Sequence, residues 1–423
     1  MKLTGGVLAD AEARAARLWQ ADVCRFSTGG STHANQVLCL AVGRPGDTVL
    51  VGRNAHRSVL SGLVLAGLRP VWLPVDADPR TGAPLGVDPE VLRAALAEHP
   101  DAVAVFCTDP SYQGTFCDLA AVVAVAHERD LPVVVDQAWG AHLGLVEPYP
   151  PHALHRGADA VVTSAHKMLP AFSQAALVLA RTRRIDPARL DRAFEATHTT
   201  SPSAAILASI DAARAFLAAD PGRAALRRLA GLTDAARTRL VAAGLVVPGP
   251  ADHPPGRFDP AKLVVSFAAA GRSGLDAEAV LLDRGVPVEM ADRDTLVAQL
   301  GPTDDAGTLD RLVDGILAAL TGTAGPPRPI VVPRAVLPPQ RMTPRQAFFA
   351  GYRTVPRQQA LGRVSAELIA PYPPGVPLLV PGEEITADTL AALDASLAAG
   401  NRIAYAADPT LGELHVVDDA RSG

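Results

Sequence analysis

Short runs of branched apolar residues alternate with stretches of helical periodicity through the first half of this chain, and that alternation restricts the fold more than any other feature. Asp47 to Val51, Pro70 to Val75, Ala102 to Thr108, Pro132 to Asp136, Ala160 to Thr163 and Ala176 to Leu179 read as strands. Around them Leu8 to Trp19, Ser58 to Leu68, Pro89 to Glu98, Leu119 to Arg129, Ser203 to Ala219 and Ala224 to Ala243 carry helical apolar spacing. A strand buried on both faces loses the polar alternation of a half-solvated one. Runs such as Val133-Val134-Val135 therefore predict a mostly parallel sheet with helices on both sides, an α/β class.

With 423 residues the chain has room for two or three domains. The α/β pattern fills residues 1–245. Lys262 to Phe267 opens a smaller α+β region, 246–325, and Thr321 to Gln340, with six prolines and no periodicity, leads into a C-terminal α+β segment, 326–423. Hydrophobic residues make up 48%, yet no run reaches the roughly 18 uncharged apolar residues of a membrane span. A net charge of −5 gives no footprint for nucleic acid or an anionic membrane, so neither is expected as a partner. Cys24, Cys39, Cys107 and Cys117 form no CxxC pair and no secretory leader is visible, which predicts reduced thiols and a cytoplasmic protein. No GxGxxG follows a strand and no GxxxxGK[ST] occurs, which argues against dinucleotide-binding and P-loop enzymes.

Ligands of open α/β sheets sit beyond the carboxyl ends of the strands. Asp136 ends one predicted strand, and Lys167 follows another in Ser164-Ala165-His166-Lys167, 31 residues on. Lysine is scarce: only Lys2, Lys167 and Lys262 stand among 39 basic residues, so each invites a question. A lysine that condenses with an aldehyde and a carboxylate that keeps a pyridine nitrogen protonated are what pyridoxal phosphate requires. A surface lysine and a strand-capping aspartate would look the same by themselves. Ser27-Thr28-Gly29-Gly30-Ser31-Thr32 adds glycine turns and hydroxyls before a helix near His33, a fitting site for a phosphate, and Ser164 offers one more hydroxyl.

With these motifs in order, together with Arg53-Asn54-Ala55-His56-Arg57-Ser58, Asp109-Pro110-Ser111-Tyr112-Gln113-Gly114, Asp136-Gln137-Ala138-Trp139-Gly140-Ala141-His142, Thr343-Pro344-Arg345-Gln346-Ala347-Phe348-Phe349, Ser365-Ala366-Glu367 and Pro371-Tyr372-Pro373-Pro374-Gly375-Val376-Pro377, the chain resembles the bacterial Orn/Lys/Arg decarboxylases over nearly its whole length. The resemblance is to the short form that lacks an N-terminal wing domain. It implies a fold-type I pyridoxal 5'-phosphate enzyme that decarboxylates lysine, arginine or ornithine. Lys167 would carry the cofactor, Asp136 would pair with its ring nitrogen, and His56 and Ala138 would pack its two faces. Gly30, Ser31, Thr32 and Ser164 would hold the phosphate, with Thr200 reaching in from a neighbouring subunit of a homodimer or higher oligomer. His166, beside the lysine, would support the cofactor linkage or bind the substrate carboxylate.

Family members begin some tens of residues earlier, with a Pro-Gly-His-Lys type motif, whereas here the likeness starts near Leu3. An aminotransferase or another fold-type I lyase would use the same Asp136 and Lys167, and a non-catalytic paralogue would retain the motifs; the Pro371 to Pro377 motif favours decarboxylation. No metal is expected, because His33, His142 and His198 have no paired ligand spacing. Glu289, Asp292 and Glu367 are candidates for the substrate's cationic end, although each also reads as a solvated surface carboxylate.

Overall fold

Successive residues of the central strands belong to two different apolar cores. Val133 and Val135 pack into one and Val134 into the other, and Leu50 is split in the same way from Val49 and Val51. This is the two-residue period of a sheet covered on both faces. The computed structural model describes residues 6–330, 336–372 and 375–418, so Pro373 and Pro374 of the C-terminal motif and 331–335 of the proline-rich stretch lie outside the described residues.

The strands of the first half are β1 (Val23–Ser27), β2 (Thr48–Gly52), β3 (Arg69–Leu73), β4 (Val75–Ala77), β5 (Pro84–Val87), β6 (Ala102–Thr108), β7 (Val133–Asp136), β8 (Ala160–Ser164) and β9 (Ala176–Ala180). Seven of them form one sheet in the order β1-β9-β8-β7-β6-β2-β3. Strands β3, β2, β6, β7 and β8 run parallel, and β9 is antiparallel to both β8 and β1. Six strands therefore share one direction, as the Val-rich runs predict. The sequence pattern does not reveal β1, because Arg25 interrupts it. Arg25 is accommodated by Asp191 at 2.8 Å and Glu12 at 3.6 Å. The β4–β5 hairpin is likewise unmarked in the sequence.

One face of the sheet is covered by helix α1 (Val7–Trp19) with Leu92, Leu96 and Leu119, and the other by α2 (Gly30–Val42), α3 (Arg57–Ala66) and the helix Pro187–Thr197. Leu38, Leu50, Leu63 and Leu119 are wholly buried. Each stabilises the fold by about 1.5–3 kcal/mol relative to exposure. Among the described residues no helix is long and apolar enough to cross a membrane.

A second, antiparallel sheet joins β10 (Lys262–Ser266), β11 (Met290–Ala291) and β12 (Thr295–Gln299) in the order β10-β12-β11. The C-terminal segment pairs β13 (Tyr352–Pro356) with β16 (Glu413–Val417), and β14 (Ala370–Tyr372) with β15 (Arg402–Ala404), around its own apolar core. A buried ion pair fastens this segment to the main sheet. Arg53, just after β2, gives Nη1 and Nη2 to the two oxygens of Glu383 at 2.6 and 2.9 Å and its Nε to the Pro377 carbonyl at 3.0 Å. Arg345 adds bonds to the Val64 and Leu65 carbonyls that end α3, both at 2.8 Å.

Candidate active site

The carboxyl ends of β2, β6, β7 and β8 and the N-terminus of α2 open onto one cavity of about 610 Å³. Lys167, Asp136, His56, His166, Ala138, Gly30, Ser31, Thr32 and Ser164 all line it. Sequence reasoning thus names residues that the fold brings together on one side of the sheet. Thr200 is exposed and is not part of this chain's cavity wall, although the segment before it lies beside the glycine turn: His198 Nε2 is 3.3 Å from Thr28 Oγ1.

At the phosphate end, α2 begins without a side-chain cap. Its N-cap is Gly29, whereas Asp88, Asp186 and Ser203 cap their own helices with side-chain oxygens. First-turn N–H groups without a cap attract an anion, aided by the helix dipole. Gly30 adopts φ 69, which glycine permits without strain, and ties its N–H to the Gln174 carbonyl at 2.8 Å. The hydroxyls of Ser31 and Ser164 meet at 2.6 Å on the same rim.

At the ring end, Asp136 is buried and oriented by two donors, the Ala138 N–H at 3.1 Å on Oδ1 and Asn35 Nδ2 at 2.8 Å on Oδ2. Asn35 also donates to Ser58 Oγ at 2.9 Å, and the Ser58 hydroxyl meets His56 Nδ1 at 2.8 Å. His56 is itself the N-cap of α3, accepting from the Ser58 N–H on Nδ1. Both contacts leave Nδ1 as the acceptor, and desolvation lowers the imidazole pKa, so the ring is neutral with its proton on Nε2. One network thus joins the carboxylate to the imidazole across the cavity floor. Asn35 and Ser58 are not foreseen as site residues; only the fold places the middle of α2 beneath β7.

Burial lowers the Lys167 pKa, while Asp136 and Glu289 hold it up in part. The shift moves the amine toward its nucleophilic neutral form. Its Nζ lies 4.2 Å from the centre of the Trp139 ring. His166 places Nδ1 at 2.9 Å from the Ala175 carbonyl, and desolvation lowers its pKa. The carbonyl can only accept, so Nδ1 carries the proton and Nε2 is a bare acceptor. That state suits holding or taking a proton and does not suit binding a carboxylate.

Of the three candidate carboxylates only Glu289 lines the cavity, where it accepts a short hydrogen bond from the Tyr112 hydroxyl. Asp292 is turned inward onto the Thr295 N–H, the Thr295 hydroxyl and the Asp294 N–H. Glu367 is buried and accepts from the N–H groups of Ala407 and His415. These two are fold-forming groups and not the solvated ones their sequence context suggests. Tyr372, Gly375, Val376 and Tyr405 of the C-terminal segment close the far wall. Asn54 and Thr108 also line the cavity with buried polar atoms that lack a protein partner: both ends of the Asn54 amide and the Thr108 hydroxyl. Such atoms are costly unless a ligand or water meets them. An acceptor ring with a phosphate at one end fits this donor set. The histidines without ligand spacing have other partners: His33 lies between Ser27 and Thr197, and His142 on Asp259.

The model of the Orn/Lys/Arg decarboxylase major domain matches residues 2–245, and that of the family's C-terminal domain matches 332–402. The chain belongs to the Orn/Lys/Arg decarboxylase family. Within it, the chain is 34% identical to an arginine decarboxylase of Halalkalibacterium halodurans, over 98% of this chain and 86% of that one. It is 31% identical to an arginine decarboxylase of Bacillus subtilis, over 99% and 86%. A lysine decarboxylase, LdcA of Pseudomonas aeruginosa, is 25% identical over 92% of this chain and 66% of its own. Among solved structures, the constitutive lysine decarboxylase of E. coli superposes with a TM-score of 0.81 at 21% identity, over 98% of this chain and 73% of that one. Serine palmitoyltransferase of Sphingomonas wittichii reaches 0.58 at 16%, over 74% and 75%. Both likenesses concern the fold, and they support its fold-type I α/β class.

Proposed function

We propose that this family member decarboxylates a basic amino acid with pyridoxal 5'-phosphate, and that arginine is the first substrate to test. The convergence of Lys167, Asp136 and His56 on a single cavity carries the reading, and the relatives named arginine decarboxylase, at 31–34% identity, point to arginine ahead of lysine. When bound, the cofactor supplies an electron sink for the pair released with CO2.

This chain's own residues do the rest. Lys167 holds the cofactor and then exchanges with the substrate amine. Asp136, kept in place by Asn35 and Ala138, holds the proton on the ring nitrogen. His56 and Ala138 pack the ring faces, while Gly30, Ser31, Thr32 and Ser164 take the phosphate. The substrate ammonium passes a proton to Lys167 as the two exchange, and the freed Lys167 ammonium delivers a proton to the substrate carbon once CO2 has left; His166, next to it in the chain, offers a bare Nε2 as a proton acceptor. Glu289 meets the cationic end of the substrate. Thr200 completes the phosphate site of a neighbouring subunit in a homodimer, and the units 1–245, 246–325 and 326–423 serve as the domain division.

Labelled CO2 release from arginine, lysine and ornithine, with the cofactor present, tests the reaction. Release from one or more of them is expected, arginine foremost. Cofactor bound with no release from any would overturn it in favour of an aminotransferase or a non-catalytic role. Borohydride should fix the cofactor to Lys167, as read on the peptide. Light scattering of the loaded protein should give at least a dimer.

A further inference from the structure

Lys262 does not line the cavity, yet it is wholly buried directly behind it. It leaves the first strand of the small sheet and places Nζ 3.9 Å from the centre of the Trp139 ring, the same indole that lies 4.2 Å from Lys167 Nζ. Tyr112 packs edge-on against that indole at 4.7 Å and turns its own ring toward Lys262 at 5.9 Å. On the other side Lys262 Nζ donates to Gln299 Oε1, and the Gln299 amide reaches Met168, the residue after Lys167. Two routes therefore run from this ammonium to the Lys167 turn, one through an aromatic face and one through an amide. Room is made for the lysine stem by Gly114, at φ 93, where a Cβ would stand 2.5 Å from Lys262 Cγ. Burying a lysine amine costs stability unless it is paired or hydrogen-bonded, and here Gln299 and the Trp139 and Tyr112 rings meet it.

The charged and titratable groups that face Lys262 come from each element packed on it. Asp259 precedes it and is bound to His142 after β7, Glu289 stands before β11, Tyr112 follows β6, and Lys167 follows β8. Desolvation brings the Lys262 pKa down to about 7, against the opposing pull of Asp259 and Glu289.

We propose that Lys262 is a positioning residue for the chemistry of Lys167: its Nζ pins the Trp139 indole, and the pinned indole fixes where the Lys167 amine rests and how tightly that amine holds its proton. Trp is the side chain best suited to take a cation on its face. The inference rests on the reading that Lys167 carries the cofactor, and the experiment separates the two.

Protein loaded with pyridoxal phosphate is reduced with borohydride and the labelled peptide identified; a label elsewhere than Lys167 removes the reading itself. With the label on Lys167, the visible absorption of the unreduced holoenzyme is titrated with pH in wild type, Lys262→Met, Trp139→Phe and the double variant. Losing the desolvated cation that holds one face of the indole should move the midpoint by on the order of one pH unit in Lys262→Met. The double variant should move no further than Trp139→Phe alone. If Lys262→Met does not fold, Gln299→Leu, which takes only the acceptor of Nζ, should move the midpoint the same way by a smaller amount. An unmoved midpoint in the folded variant, or single shifts that add in the double, would overturn the proposal.

Discussion

Removing one side of the Arg53–Glu383 pair should loosen the C-terminal segment from the main sheet before anything else unfolds. Both side chains are almost fully out of water, at 2% and 0% exposure. Glu383→Ala would leave a guanidinium buried with the Pro377 carbonyl and the Trp72 face, 5.3 Å away, and would orphan the Val380 N–H that Glu383 now accepts at 2.9 Å. Breaking a buried pair from one side costs about 3–5 kcal/mol, because a charge stays behind without its partner. The segment has its own apolar core, so the cost should fall on its docking. Hydrogen exchange of residues 377–385 reads that directly, and the same energy converts to roughly 10²- to 10⁴-fold faster exchange, with the central strand β7 unchanged. Arg53→Met with Glu383→Met should restore much of the protection, since neither charge remains. Single variants that cost under about 1 kcal/mol, or costs that simply add in the double variant, would refute the coupling. Because Tyr372 and Tyr405 wall the cavity, the single variants should also raise KM.

Asn35→Leu should lower kcat about ten- to a hundredfold with a smaller effect on KM, because it removes a charge-assisted bond to Asp136; an unchanged kcat in steady-state assays counts against the network. Glu289→Gln should raise KM for a basic amino acid about tenfold or more and leave kcat closer to wild type, with no effect on KM assigning the cationic end elsewhere. Burial raises the Glu12 pKa from its ordinary 4.5 to about 7, over the opposing effects of the Phe26 N–H and Arg25. The folded state then keeps a proton that the unfolded chain has lost, so this group's share of stability is present below 4.5 and is lost as pH rises to 7. Glu12→Gln should flatten that decline in denaturation midpoints and be the more stable protein above pH 7 by about 1–3 kcal/mol.

Asp136 and Lys167 are legible in the sequence because an apolar run stops just before each, and a strand that stops at its carboxyl end is where such folds place chemistry. The glycine turn before α2 is legible for a similar local reason. Asn35 is not: it sits inside a helix with nothing local to distinguish it, and its value arises only where α2 crosses under β7. Lys262 stands out by the rarity of lysine, but its use depends on β12, whose Thr295-Leu296-Val297-Ala298-Gln299 is too short and mixed to announce a strand. The difference between Glu289 and its neighbour Asp292 also lies in packing alone: one opens to the cavity and the other folds back onto Thr295.

The cavity wall draws on positions from Gly29 to Tyr405, and this spread has a consequence during synthesis. At about 5–20 residues per second, a ribosome needs on the order of tens of seconds to travel from Lys167 to Tyr405. Over that interval the strand ends, the glycine turn and the lysine can already have folded while Tyr372, Val376 and Tyr405 have yet to emerge. The nascent cavity is then wider than the finished one, a dish with one side missing, and a bulky ligand can enter it without any later opening motion. Docking of Glu383 onto Arg53 then brings the last wall into place, so the site is complete only once the C-terminal segment has folded.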